Sequence, residues 1–145
     1  EGFLFPDTYY FPPGVTPEDV VSVMIRNFNL KLSSGLRDEI ARQGKTIYEV
    51  IIMASIIERE AFDEKDAFII SGILWKRIND EYPLQVDAVL VYITGRGSRT
   101  LTVDDLEIDS PYNVYNRIGL PPRDDARPDH LEPTLDKLAD LFARN

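Results

Sequence analysis

Cysteine is absent from this 145-residue sequence, and histidine occurs once. Without cysteine there is no thiol nucleophile, no disulfide and no thiolate metal ligand, although the cellular compartment stays open. The single histidine, His130, lies in an acidic tail beside Asp129, Glu132 and Pro133, where an exposed loop residue is the ordinary reading. Ser-His-Asp, Cys-His and histidine-zinc chemistry are therefore disfavoured. Basic residues are also scarce: 16 Lys and Arg stand against 25 Asp and Glu, a formal charge of -9. That balance counts against a protein held to nucleic acid by phosphate neutralisation. No apolar run reaches the roughly 18 residues that a membrane-spanning helix requires. The chain opens on Glu1-Gly2-Phe3-Leu4 with neither a starting Met nor a basic, then apolar, leader, and reads as an excised fragment.

What is present, 43% hydrophobic and 28% charged residues, is the composition of one globular domain spanning residues 1–145. The pattern predicts an α+β fold, mainly helical around a central buried helix, with a small β element. Phe3, Phe5, Thr8, Tyr9, Tyr10 and Phe11, closed by Pro12-Pro13-Gly14, read as short extended structure. Thr16-Pro17-Glu18-Asp19 opens a first helix with the stripe Val20, Val23, Met24 and Phe28, fading near Asn29. A second, short helix follows Ser34 and stops at Gly44. The third has the strongest signal. Thr46 and Glu49 form a capping box, and Val50 to Ile57 are apolar except for Ser55, so this helix is expected to run through the core.

A fourth helix begins near Asp63 with the core stripe Ala67, Ile70, Ile73, Leu74 and Ile78 and ends before Pro83. From Ala88 to Thr94 a helix capped by Asp87 and closed by Gly95 competes with a strand, because the segment is rich in β-branched residues. Thr102 and Asp105 bracket one helical turn, and Ser110-Pro111-Tyr112-Asn113 reads as a turn. Leu135, Leu138, Leu141 and Phe142 mark an amphipathic helix at the end.

With histidine and cysteine removed, acid–base chemistry falls to carboxylates. On a helix, Glu58 shares a face with Ile51, Ala54, Ser55, Ala61 and Phe62. Such apolar surroundings disfavour a charged carboxyl and suit it to donate a proton, while the small Ala54 leaves room for a ligand. An ordinary solvated glutamate in a helix's last turn fits the spacing as well. Glu60 lies about 200° further around the helix, so the two acids do not face one bond. Beside Asp63 and Glu64 it reads as part of a solvated acidic end, with a hydrogen bond to a later loop as its functional alternative. Tyr112, Asn113 and Tyr115 join flat rings to amides, a chemistry suited to an acetamido sugar, though turn formation explains them equally. Gln85 and Asp87 fit either ligand contact or helix capping.

Five blocks in order, Glu1-Gly2-Phe3-Leu4-Phe5-Pro6-Asp7-Thr8-Tyr9, Ala54-Ser55-Ile56-Ile57-Glu58-Arg59-Glu60, Leu84-Gln85-Val86-Asp87, Ser110-Pro111-Tyr112-Asn113-Val114-Tyr115 and Gly119-Leu120-Pro121-Pro122, resemble the YceG-like family of endolytic murein transglycosylases. The resemblance covers residues 1 to about 122. It implies that Glu58 is the catalytic acid, that Gln85, Asp87, Tyr112, Asn113, Tyr115 and Glu60 contact the glycan, and that no cofactor is used. The implied reaction cuts the β-1,4 bond between N-acetylmuramic acid and N-acetylglucosamine and leaves 1,6-anhydro ends. The implied partners are peptidoglycan strands and the enzymes of cell-wall synthesis, at the extracytoplasmic face of the bacterial inner membrane. By the same resemblance, a membrane anchor and a LysM-like part would lie upstream of Glu1. The sequence departs from the family pattern at Val86, Ala88 and Val89 and in the tail 123–145, which leaves a catalytically silent glycan-binding or scaffold module as the alternative. A pyridoxal-phosphate lyase, the third possibility, lacks a lysine beside a glycine-rich phosphate loop.

Overall fold

A computed structural model describes residues 2–122. Its helices are α1 (Pro17–Lys31), α2 (Ser34–Arg42), α3 (Ile47–Glu60), α4 (Glu64–Asn79), α5 (Asp87–Thr94) and α6 (Val103–Leu106), with a 3-10 turn at Ser98–Thr100. The expected terminal helix at Leu135 to Phe142, and His130, lie outside the described residues.

Helix α3 organises the rest. Thr46 accepts the Glu49 N–H at 3.1 Å while the Glu49 carboxylate accepts the Thr46 N–H at 2.7 Å, so the start of the helix is satisfied on both sides. Val50, Ile51 and Ala54 enter one apolar cluster with Phe5, Phe28, Leu32, Leu36 and Ile40. Met53, Ile56 and Ile57 enter another with Leu74, Leu84, Val86, Val89 and Val114. The helix is thus a partition between two cores, which explains a sequence apolar on nearly every face. The amino-terminal segment closes one side of it: a Cβ built on Gly2, whose φ is +77°, would stand 2.9 Å from Ile51 Cγ2. Only glycine combines that backbone with that approach.

Several expectations are corrected. Among the described residues no strand forms, so the small β element is not seen. Residues 3–11 run extended but are tied by side chains to themselves and to α1: the Tyr9 hydroxyl donates to the Phe5 carbonyl at 2.7 Å, and Asn27 Nδ2 donates to Tyr9 and Asp7 at 2.9 and 3.0 Å. For residues 88–94, by contrast, the expected helix closed by Gly95 forms and the competing strand does not, because Val89 and Leu90 are buried and Gly95 ends the helix in the left-handed region. Helix α1 continues past Asn29 to Lys31, since Leu32, 2% exposed, anchors its end and donates its N–H to Phe28 at 2.9 Å. On α4, Ile73 is half exposed, and Ser71 takes the buried place in the stripe beside Leu74. Ile73 falls about 100° around the helix from Leu74, enough to turn it outward.

Candidate active site

Of the sequence candidates, Glu60, Asp87 and Tyr115 meet at the start of α5, with Gln85 in the loop before it. Glu60, the last residue of α3, accepts the Ala88 N–H on its Oε1 at 3.1 Å. Asp87, the first residue of α5, accepts the Tyr115 hydroxyl on Oδ1 at 2.5 Å. Asp87 was expected to cap this helix; instead Val86 occupies the N-cap, without a side-chain hydrogen bond, and the Asp87 carboxylate is turned to the tyrosine. Gln85 donates its backbone N–H to the Val114 carbonyl at 2.9 Å, which stitches the loop before α5 to the 110–116 turn. Its φ of +51° is unusual for a residue other than glycine. Its neighbours Leu84 and Val86 are both buried while Gln85 itself is exposed. Such a backbone, held between two buried anchors, fixes where the amide emerges.

Glu58 stands two residues before Glu60 on the same turn of α3. Ala54 and Ser55, one turn earlier, are 5% and 3% exposed, and Ile57 is 3% exposed, whereas Glu58 is half-buried and Arg59 is exposed. Burial therefore ends at Glu58, on the face that carries Ile51 and Ala54, while Glu60 continues the opposite face of Met53, Ile56 and Ile57. The helix also ends at Glu60, with the Ala61 N–H closing on the Ile57 carbonyl at 2.8 Å. Glu60 is exposed at this acidic end, as expected, and also makes the alternative hydrogen bond to a later part of the chain, at Ala88, while Asp63 caps α4.

Among the aromatic and amide candidates, Tyr112 is half-buried, its ring 5.6 Å from that of Tyr92 at a tilt of 51°. Asn113, expected to contact the glycan, is placed inside the turn as a structural amide. It is 0% exposed, its Nδ2 donates to the carbonyls of Leu106 and Ile108 at 2.9 Å each, and its Oδ1 accepts the Tyr115 N–H at 3.0 Å. Tyr115 is partly buried. Burial first, then the hydrogen bond to Asp87 and the charges of Asp87 and Glu60, push its phenol up to about 12, against a smaller opposing pull from Arg77.

Arg77 is the site residue that sequence reasoning missed. Its Nη1 donates to the Leu84 carbonyl, pinning the α4–α5 connection, and its guanidinium lies 5.7 Å from the centre of the Tyr82 ring. A basic residue in the last turn of a helix is ordinary end-of-helix chemistry, so nothing in the pattern marks it. Beyond the turn, an open hollow of about 490 Å³ runs from Pro111 to Pro122, with Val114 and Leu120 among its apolar walls and the exposed Asn116 and Arg117 beside them.

Two outcomes follow from this geometry. Replacing Asn113 by Ala removes the donor to the Leu106 carbonyl, one of two donors to the Ile108 carbonyl and the acceptor of the Tyr115 N–H, and is expected to destabilise the fold by about 2–4 kcal/mol, read by denaturant unfolding. For Tyr115 the folded phenol titrates higher than the unfolded one, so the neutral form carries the stabilisation. That stabilisation is complete below pH 10 and disappears as pH rises from about 10 through about 12. Tyr115→Phe should remove this component of alkaline unfolding together with the tyrosinate absorbance that appears as pH rises through about 12.

Residues 1–129 match the YceG-like family. The chain is 36% identical over 123 residues to the endolytic murein transglycosylase of Bacillus subtilis, covering 84% of this chain and 34% of that protein. It is 32% identical over 127 residues to the endolytic murein transglycosylase of Streptococcus pneumoniae strain D39, covering 84% of this chain and 23% of that protein. A crystal structure of a yceG-like protein from Listeria monocytogenes superimposes with a TM-score of 0.80 at 30% identity, over 97% of this chain and 45% of that one. The chain therefore spans about a third or less of the curated relatives it matches. The five sequence blocks, the buried α3 with Glu58 at its wet end and the family match agree, and this chain belongs to the YceG-like family.

Proposed function

We propose that this domain is a lytic transglycosylase that cuts the bond between N-acetylmuramic acid and N-acetylglucosamine within peptidoglycan strands, with Glu58 as its acid and base. The observation that carries the reading is the place of Glu58, directly after the buried run Met53–Ile57 of α3, where the helix passes from buried through half-buried Glu58 to exposed Arg59 and Glu60. Ile51 and Ala54, buried on the same face of the helix, precede Glu58, and the helix ends two residues after it.

One carboxyl suffices if the substrate supplies its own nucleophile. A hydrolase of the usual kind needs a second acid to activate water or to attack the sugar. In the transglycosylase reaction, protonated Glu58 gives its proton to the glycosidic oxygen as the bond to the muramyl anomeric carbon breaks. Positive charge develops at that carbon and is met by the sugar's 2-acetamido group or by polar side chains. The muramyl C6 hydroxyl then bonds to the anomeric carbon, and its proton passes to the Glu58 carboxylate. Glu58 ends protonated, as it began, and neither water nor a metal is consumed.

Gln85, Asp87, Tyr112 and Tyr115 are the residues proposed to orient the strand. Gln85 offers an amide on a restrained backbone, Tyr112 offers a half-exposed ring, and the Tyr115–Asp87 pair offers a carboxylate held by a phenol that stays protonated at physiological pH. On this reading the domain works in the cell envelope, at the extracytoplasmic face of the inner membrane, beside the enzymes that build the strands.

The test is Glu58→Gln, which keeps size and polarity but cannot transfer the proton. Release of anhydro-ended fragments from purified sacculi should fall by about a thousandfold, with melting and sacculus binding retained. Undiminished release would refute the assignment. A parent protein that binds sacculi without releasing product would instead indicate a silent binding module.

A further inference from the structure

We infer that Glu60 is a positioning residue, which locks the end of α3 onto the start of α5 and so holds the turn that presents Glu58. The inference rests on the functional reading above and gives Glu60 a role other than glycan contact.

The start of α5 lacks a cap of its own. Its N-cap is Val86, which has no side-chain oxygen, and the Asp87 carboxylate accepts the Tyr115 hydroxyl. The first N–H groups of a helix have no partner within it, and here the Ala88 N–H finds one in Glu60, 28 residues earlier. A carboxylate at that position also meets the positive end of the helix dipole. Glu60 reaches it because it continues the face of Met53, Ile56 and Ile57, the face packed with Val86 and Val89. Where that apolar contact runs out, the carboxylate carries the joint one residue further.

The consequence for Glu58 is mechanical. The last turn of a helix frays unless something ties it down, and Glu58 and Glu60 occupy the same last turn, about 200° apart. An anchor on Glu60 therefore fixes the rotation and height of Glu58 without touching substrate. General acid catalysis is steep in such geometry, since an ångström of misplacement can cost on the order of a hundredfold in rate. The charge of Glu60 also helps to raise the Tyr115 phenol, after burial and the bond to Asp87.

Three variants of the purified protein, each followed by sacculus digestion and amide hydrogen exchange, separate this role from the others. Glu60→Ala removes the acceptor and should lower kcat roughly ten- to a hundredfold with KM within about twofold, while exchange at Ala88 rises about tenfold. Glu60→Asp, one methylene too short, should behave like Ala. Glu60→Gln keeps an acceptor oxygen without the charge and should retain at least about a third of kcat, with exchange near that of the parent. Unaltered exchange at Ala88 in the Ala variant would overturn the inference. So would a rise in KM at constant kcat, which marks a glycan contact, or a Gln variant as impaired as Ala, which marks a need for the charge itself. A parent protein that releases no anhydro product refutes the functional reading and the catalytic half of this inference, whereas the exchange comparison decides the helix anchor by itself.

Discussion

The burial of α3 on both sides is the constraint on which the other features depend. A helix that divides two cores has no solvent face on which to place polar residues, so its polar chemistry is confined to its ends. The capping box of Thr46 and Glu49 occupies one end, and Glu58, Arg59 and Glu60 occupy the other. A carboxyl at the second end is held by a rod packed along its length, while its own last turn is accessible. Rigidity behind and access in front are what a positioned proton donor requires.

The start of α5 is the second fixed point. Three segments meet there through polar contacts at the edge of the core formed by Met53, Ile56, Ile57, Val86 and Val114. Glu60 arrives from α3, Tyr115 from the 110–116 turn, and Gln85 ties the incoming loop to Val114. Asn113 keeps that turn in shape from inside, and Arg77 holds the loop from the α4 side. Hydrophobic packing brings these segments together without direction, and the hydrogen bonds select one arrangement among those the packing permits.

Much of this was legible in the sequence because it is local. The capping boxes at Thr16, Thr46 and Thr102, the apolar run of α3 and the left-handed stop at Gly95 are set by residues within a few positions of one another. What was not legible depends on partners distant in the chain. The choice of helix over strand for residues 88–94 follows from the burial of Val89 and Leu90, and the side-chain ties of Asp7 and Tyr9 to Asn27 join the opening segment to α1. The burial of Asn113, the bond from Glu60 to Ala88 and the place of Arg77 are contacts that no periodicity encodes. The blocks around Glu58, Gln85 and Tyr112 marked the right stretches of chain, while the division of labour within each stretch needed the fold.

Glu58 as the sole acid requires that the sugar, and not water, complete the reaction. Digestion of glycan strands in water enriched in heavy oxygen, with mass spectrometry of the new muramyl ends, tests that requirement most directly. The account predicts anhydro ends free of solvent oxygen, since the C6 hydroxyl closes on the anomeric carbon. Reducing ends carrying heavy oxygen would contradict it, because they demand a water activated by a second acid.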